Sequence, residues 1–494
     1  MHAAVDYLNG IVWSSALIYL CLGVGLYFSI RTGFMQLRGI PEMLRLLFAS
    51  KSSSAGISSF QALSVALSGR IGTGNIAGVA TAIHFGGPGA VFWMWLVGFL
   101  GAATAYIEST LGQIYKERDH HGRYRGGPAF YIEKAMGQKW YAMTFAVATI
   151  IGTGLLLPGV QANSIASSVE NAWGLPRLVS AAAMVVVLGA LIFGGIRRIA
   201  QFAELVVPVM SIGYVAAAVA VIALHHDRLL DVMELIFTSA FGLHAGYGAI
   251  LGLAIQWGVK RGVYSNEAGQ GTGPHAAAAA EVKHPAAQGY VQAFSIYIDT
   301  LFVCSATAFM LLLTRNYNVV DPNGAAIVQH VPGVPVGPSY TQAAVESITP
   351  GLGASFVAIA LTFFAFTTIV AYYYMAETNI NYVNRHAPRD SMMFVLKLAI
   401  MGSVAYGSIR SAELAWALGD LGVGVMAWLN IVAILIVQKP ALLALRDYQR
   451  QRKSGLDPTF DPVALGIRGA DHWSSAPAAS IESEPPPRVV LEET

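Results

Sequence analysis

The sequence predicts an all-α, polytopic membrane protein of about eleven transmembrane helices, and three observations carry that expectation. Of the 494 residues, 55% are apolar and only 12% charged, about half the ~25% charged residues of a soluble domain. The charges crowd toward one end, where residues 439 to 494 hold 15 of the chain's 58 Lys, Arg, Asp and Glu. The apolar residues fall into stretches near the ~20 residues that cross a bilayer. A soluble enzyme would need far more polar surface, and a disordered chain would not carry so much apolar sequence. The lipid bilayer is therefore the expected surrounding.

The candidate spans are residues 9–30, 57–84, 90–115, 139–168, 177–196, 200–224, 232–260, 286–314, 352–377, 391–409 and 414–438. Lys and Arg concentrate in cytoplasmic loops, which tests that count. Loops after the first, third, fifth, seventh and ninth spans hold 17 basic residues, Lys260 and Arg261 among them, and the opposite loops hold four. The asymmetry places the N-terminus outside and the C-terminus in the cytoplasm. The first ten residues contain Asp6 but no Lys or Arg, so the first span lacks the basic flank of a cleaved signal peptide. It is expected to be retained.

Four regions follow: 1–56, an N-terminal transmembrane helix and cytoplasmic loop; 57–225 and 226–438, two five-helix units; and 439–494, a short interfacial helix leading into a largely disordered cytoplasmic tail. The tail expectation rests on charged, Pro-rich sequence such as Ser480 to Arg488, which cannot build a core. Cys21 and Cys304 both lie in apolar runs, so neither a disulfide nor a cysteine metal site is expected. A net charge of +2 with no basic stripe argues against nucleic acid as a partner.

The second span carries Ser68-Gly69-Arg70-Ile71-Gly72-Thr73-Gly74-Asn75-Ile76-Ala77-Gly78, and the seventh carries Ala240-Phe241-Gly242-Leu243-His244-Ala245-Gly246-Tyr247-Gly248. Each glycine costs roughly 1 kcal/mol against alanine in a helix interior, so both clusters predict breaks. Broken backbone at membrane depth is tolerated only where protein or a water-filled cavity satisfies it. Small residues also serve close helix packing, but two breaks five spans apart match corresponding interrupted helices in two inverted halves, the pattern of a secondary transporter site. Gly72 to Ala77 also fits G-x-G-x-x-A, yet the next acid, Glu108, is over thirty residues away in another span. That match is accidental.

These segments resemble the alanine or glycine:cation symporter family, the bacterial sodium:alanine symporters. The resemblance lies in Gly69 to Ala80, in Gly86-Gly87-Pro88-Gly89-Ala90-Val91-Phe92-Trp93-Met94-Trp95, and in Gly258-Val259-Lys260-Arg261-Gly262-Val263-Tyr264-Ser265-Asn266-Glu267-Ala268-Gly269. It continues through Pro274 to Pro285 and on to Asp299-Thr300. It covers about residues 5 to 450. It implies the leucine-transporter-like 5+5 inverted repeat with one extra N-terminal helix, in a bacterial inner membrane. The implied activity is sodium-driven symport of alanine, glycine or another small neutral amino acid, with sodium as coupling ion and no other cofactor. Gly72-Thr73-Gly74-Asn75 also looks like the Gly-x-Gly-Asn run that holds substrate carboxylate and ion in neurotransmitter:sodium symporters.

Residue chemistry fits those roles. Unwinding at Gly72, Thr73 and Gly74 presents N–H groups at the positive end of a half-helix, which suits a carboxylate. Asn75 offers both donor and acceptor to substrate or ion, or else glues helices together. Gln161 faces the site if its helix lines it, as the family implies; otherwise it is an interhelical hydrogen bond. Tyr247 and Phe366 are candidate walls of the substrate pocket or plain packing. Carbonyls near Ser68 and Ile71, with the Thr367 and Thr368 hydroxyls, would make an all-oxygen sodium site, against the alternative that such threonines bond back to their own helix.

Intramembrane charges are costly and hence functional candidates: Arg70, Glu108, Glu204 and Asp299, with Arg70 expected to pair with Asp299 or a glutamate. Asn266 and Glu267 are placed just past the seventh span on the cytoplasmic side. The competing expectations are a proton-coupled transporter of the same fold, leaning on a carboxylate such as Asp299, and an intramembrane enzyme. The latter is disfavoured because no H-E-x-x-H or G-x-S-x-G motif occurs.

Overall fold

The computed structural model describes residues 2–50, 52–53, 55–193, 195–244, 247–385 and 390–474. Helices dominate, and eight of those described are long and apolar enough to cross a membrane. Three of the eleven expected spans are not among those eight. Two are interrupted, and the third is the 16-residue helix Arg177–Ile192.

The first part of the chain comprises α1 (Ser15–Arg31), α2 (Ser59–Arg70), α3 (Val79–Gly86), α4 (Ala90–Ile114), the hairpin β1 (Glu117–Arg118) with β2 (Tyr124–Arg125), α5 (Pro128–Met136), α6 (Lys139–Ile151), α7 (Leu157–Trp173), α8 (Arg177–Ile192) and α9 (Gly195–Leu224). A π turn, Gly152–Leu156, joins α6 to α7 as one long span. After α10 (Leu229–Ala240) come α11 (Leu251–Asn266), α12 (Gly273–Ala279), α13 (Pro285–Ile296) and α14 (Ser305–Thr314). Then follow the hairpin β3 (Asn318–Val320) with β4 (Ala326–Gln329), α15 (Pro338–Glu346), α16 (Gly353–Val383), α17 (Asp390–Ile409), α18 (Ala412–Val437) and α19 (Lys439–Lys453).

One order of elements occurs twice. A broken helix, a long helix, a two-stranded hairpin, a short helix headed by Gly-Pro and three apolar helical segments run from α2 to α9, and again from α11 to α18. The two short helices begin alike: Gly127 (φ +142°) precedes Pro128, and Gly337 (φ +124°) precedes Pro338. Those φ values suit glycine, and proline suits the first turn of a helix. The first hairpin lies on the face that carries α19, and the second lies on the opposite face.

α2 starts with a capping box, in which Ser58 Oγ accepts the Gln61 N–H and Gln61 Oε1 accepts the Ser58 N–H, both at 3.1 Å. It stops at Arg70 because Ile71 turns to ψ 93°. A π turn, Gly74–Gly78, then leads into α3. This is the first expected break.

The second break that matters lies elsewhere than the sequence placed it. The chain does leave the helix between α10 and α11, although Ala245 and Gly246 fall outside the described residues. However, Tyr247 packs on Gly87, at the far end of α3. The break that meets the end of α2 is residues 267–272, between α11 and α12, where Glu267, Gly269 and Gly271 take φ of +57°, +80° and +87° and a Cβ on Gly69 would stand 3.3 Å from Glu267 Oε2. Lys260 and Arg261 misled the sequence boundary: two adjacent cations imply a loop, but here both sit within α11 and are neutralised by Asp420 of α18. Lys260 Nζ is 2.7 Å from Asp420 Oδ2, and Arg261 reaches the two carboxylate oxygens at 2.7 and 3.1 Å. Trp257, Tyr264 and Trp416 surround the guanidinium. Asn266 and Glu267 are consequently buried at the centre, not exposed beyond a span.

The expected tail also differs. After α19, residues 454–474 run back along the same face of the helical bundle and bury Phe460, Ile467 and Ala470. Residues 475–494, including the Pro-rich run, lie outside the described residues.

Candidate functional site

The two breaks meet where α2 ends. Gly72 donates its N–H to Asn75 Oδ1, and Thr73 donates its N–H to Gln161 Oε1, each at 2.9 Å. Two backbone donors at a half-helix start are thus held by two neutral amide oxygens, and all four residues are buried. Thr73 Oγ1 donates to Ser164 Oγ at 2.5 Å, so α7 lines the break with both Gln161 and Ser164.

Glycine is required here by proximity. A Cβ on Gly72 would stand 2.5 Å from Thr368 Oγ1 and 2.8 Å from Gln161 Oε1, and one on Gly74 would stand 3.1 Å from Ser265 Cα. The break is the point at which α7, α11 and α16 all approach the backbone.

Asn75 joins this point to a buried carboxylate. Its Nδ2 donates to Asp299 Oδ1 at 2.6 Å and to Cys304 Sγ at 3.3 Å. Ser265 Oγ reaches the two Asp299 oxygens at 3.0 and 3.1 Å, and Thr300 Oγ1 donates to Oδ2 at 2.8 Å. Asp299 lies in a π turn, Tyr297–Cys304, a helix irregularity frequent at functional sites. Its negative charge is held by neutral donors, and among the described residues no cationic side chain lies within 4.0 Å of it.

Arg70 corrects an expectation. Instead of pairing with Asp299 or a glutamate, its Nε donates to the Asn266 carbonyl at 2.8 Å, and Nη1 donates to Gln292 Oε1 at 3.1 Å and to Ser295 Oγ. The guanidinium thereby caps the carbonyl end of α11, where positive charge complements the helix dipole. Glu108 does the reverse for the second break: its carboxylate accepts the Gly269 and Gly271 N–H groups at 3.2 Å each and Asn430 Nδ2 at 2.7 Å. Glu204 accepts from Gln61 Nε2 at 3.0 Å, near the start of α2.

Of the expected sodium ligands, Thr368 reaches the break, with Oγ1 3.3 Å from the Ile71 carbonyl oxygen and 3.0 Å from that of Phe364. Thr367 bonds back to Phe364 O at 2.8 Å, and the Ser68 hydroxyl bonds back to Val65 O at 2.7 Å. The Ser68 backbone carbonyl has lost its usual helical donor, since the Gly72 N–H goes to Asn75. Thr368 and the Ile71 carbonyl are thus brought together, and the Thr367 hydroxyl is turned into its own helix.

The expected pocket walls are not brought to the break. Tyr247 lies at the end of α3, and about thirteen helical residues, near 20 Å at 1.5 Å each, separate Gly87 from Gly74. Phe366 packs edge-on to Phe202 of α9, with ring centroids 6.4 Å apart. Residues the sequence did not single out are Ser164, Ser265 and Tyr372, whose hydroxyl interacts with both Gln161 and Glu267. Ser265 at least precedes the Asn266-Glu267 motif. Nothing in the run Tyr372-Tyr373-Tyr374 tells which ring faces inward.

Apolar spans, two broken helices meeting at a buried polar centre and half-helix N–H groups held by neutral amide oxygens define a multi-pass membrane transporter of the secondary active type, not an enzyme. The chain matches the sodium:alanine symporter family over residues 1–462, and it belongs to that family. A Bacillus subtilis relative, YrbD, named as a candidate sodium/proton-dependent alanine carrier, is 59% identical over 95% of this chain and 97% of its own. The sodium/proton-dependent alanine carrier protein of Bacillus sp. strain PS3 is 52% identical over 88% of this chain and 97% of its own.

Proposed function

We propose that this chain imports alanine, glycine or another small neutral amino acid together with sodium, by alternating access across the bacterial cytoplasmic membrane. The N-terminus is outside, the α19 face is cytoplasmic, and eleven spans form two inverted five-helix units plus α1. The twofold order of elements, with hairpins on opposite faces, supports that architecture. The names of the two relatives support alanine and sodium.

The observation that carries the substrate reading is the pair of buried N–H groups on Gly72 and Thr73, each held by a neutral amide oxygen. A carboxylate presents two oxygens with full charge, and hydrogen bonds to a charged acceptor are roughly twice as strong as neutral ones. The substrate carboxylate therefore displaces Asn75 Oδ1 and Gln161 Oε1, whose amides turn to the substrate, with Gly74 completing the cradle. Sodium is held by the Ser68 and Ile71 carbonyls and Thr368, with Thr367 joining on rotation of its hydroxyl. It orders the end of α2 on which the substrate then closes, so the two ligands favour one another. Tyr247 and Phe366 act at a distance, through packing on Gly87 and Phe202.

The test is radiolabelled alanine uptake into proteoliposomes under an inward sodium gradient, with potassium and proton-gradient controls, for the parent and Asn75→Ala. Sodium-dependent accumulation lost in the variant supports the reading. Uptake indifferent to sodium sinks the coupling and selects a second reading, proton coupling through Asp299. That reading is favoured by the carboxylate's lack of a cationic partner and by the sodium/proton wording of both relatives' names.

A further inference from the structure

The cytoplasmic ends of the two inner half-helices, α2 and α12, are tied in one knot. Ile57 forms a parallel bridge with Ala280: its N–H donates to Ala279 O at 3.0 Å, and its carbonyl accepts the Glu281 N–H at 2.9 Å. The carbonyl of Ala280, the residue that follows α12, also accepts Gln113 Nε2 at 3.0 Å and Lys116 Nζ at 2.9 Å. The hairpin joins through Tyr124, whose N–H donates to Ala55 O at 3.0 Å and whose ring lies 4.0 Å from Lys116 Nζ.

Residues 454–474 close over this knot. Trp473 donates its indole N–H to the Gln113 carbonyl at 3.0 Å, and its ring lies 5.2 Å from Lys116 Nζ. His472 packs on Tyr124, and Phe460 packs between Trp473 and His284. Asp471 pairs with Lys134 at 2.8 Å, and Asp457 pairs with Lys283 at 2.7 Å. The strap is therefore fastened at once to α4, the hairpin, α5 and the start of α13.

We propose that the segment 454–474 is a built-in brake on inward opening, a strap that holds the inner halves of the two broken helices together and must loosen before substrate leaves to the cytoplasm. The inference rests on the alternating-access reading above. α2 and α12 can part only if the Ile57–Ala280 bridge breaks, and Gln113 and Lys116, which hold Ala280, are themselves covered by Trp473. Fastening by two aromatic anchors and two exposed ion pairs is weak enough to release, because exposed pairs are worth little.

Two arms test this in the full chain. In the first, Phe460→Ala with Trp473→Ala removes both anchors, and trypsin cleavage after Arg468 in inside-out vesicles checks release. Ala62→Cys, in the first turn of α2 and fully buried, reports opening by maleimide labelling. Labelling about fivefold faster than in the chain carrying Ala62→Cys alone is expected, after subtracting the labelling of the buried Cys21 and Cys304 measured without Ala62→Cys, the lower end of ordinary coupling. Unchanged labelling with the strap released overturns the proposal.

In the second arm, Lys134→Cys with Gly469→Cys places Cβ atoms about 3.5 Å apart, within disulfide range. Oxidation joins the two thiols, with two electrons and two protons passing to an added oxidant. Alanine uptake is expected to fall about fivefold or more and to return on reduction by dithiothreitol. The same protein, reduced, is the reference, so strain from a side chain at Gly469 (φ +75°) cancels. Uptake equal in the oxidised and reduced forms overturns the proposal. If the parent takes up no alanine at all, the labelling arm still decides the brake, and the failure belongs to the substrate reading.

Discussion

Asn75 and Asp299 hold one another across the centre of the molecule, with Nδ2 donating to Oδ1 at 2.6 Å, and Asn75 Oδ1 in turn holds the Gly72 N–H. A change at the carboxylate is therefore felt at the backbone of the first break. Asp299→Asn removes the charge that orients Asn75, Ser265 and Thr300. Hydrogen bonds to charged groups contribute about 1.5–3 kcal/mol, so alanine uptake (kcat/KM) is expected to fall by roughly 10- to 100-fold. Uptake at the parent's rate, from protein that still elutes as a single peak in detergent, rules this out.

Gly72→Ala meets two buried side chains, Thr368 and Gln161. Overpacking of this kind costs about 1–3 kcal/mol and displaces groups assigned to both sodium and substrate. The expected outcome is loss of uptake together with a lowered melting temperature. Retention of both sodium dependence and stability would show that the backbone can move away, removing the close-approach argument.

Thr367 and Thr368 are adjacent but unequal. Thr368 touches Ile71 O, while the Thr367 hydroxyl faces its own helix. Thr368→Ala should raise the sodium concentration for half-maximal uptake about tenfold, the effect of ~1.4 kcal/mol, and Thr367→Ala should raise it less. Equal shifts, or the reverse order, would misplace the ion.

Among the described residues, Asp420 alone forms ion pairs with Lys260 and Arg261. Asp420→Asn leaves two buried cations uncompensated, and breaking a buried pair costs about 3–5 kcal/mol. The expected result is poor yield and a sharply lower melting temperature. Asp420→Glu should recover part of both.

The strap is expected to loosen in acid. Burial, and then the Lys116 and Arg118 cations, hold His472 at about 4, below its ordinary 6.5, with Lys134 acting the same way and Glu281 against it. The released strap binds a proton more readily than the docked one, so docking is fully favoured above pH 6.5 and is lost progressively as pH falls toward 4. Trypsin cleavage after Arg468 should accelerate over that window, and His472→Gln should flatten the dependence. A profile identical in parent and variant would remove His472 from the account.

Much of the fold was legible because a bilayer imposes one rule on every span: apolar length enough to cross, with all backbone bonds made internally. The Gly72–Asn75 break was legible for the same reason, since glycines at membrane depth weaken a helix that has no water to help it. The break at 267–272 was masked by Lys260 and Arg261, whose partner Asp420 is 159 residues away along the chain from Arg261. No local pattern announces that neutralisation. Tyr247 illustrates the opposite error, in which a true interruption of the helix lies at the wrong depth to join the site.

The sequence by itself determined the membrane class, most of the spans and the first break at Gly72 to Asn75, because these follow from local composition and spacing. Only the tertiary structure decided which second break meets the first. It also decided that Arg70 caps α11, that Thr368 rather than Thr367 reaches Ile71, and that residues 454–474 lie fastened beneath α2 and α12. Each of those depends on groups distant along the chain brought within hydrogen-bonding reach, and in a packed interior it is the partner, not the residue alone, that fixes where a polar group goes.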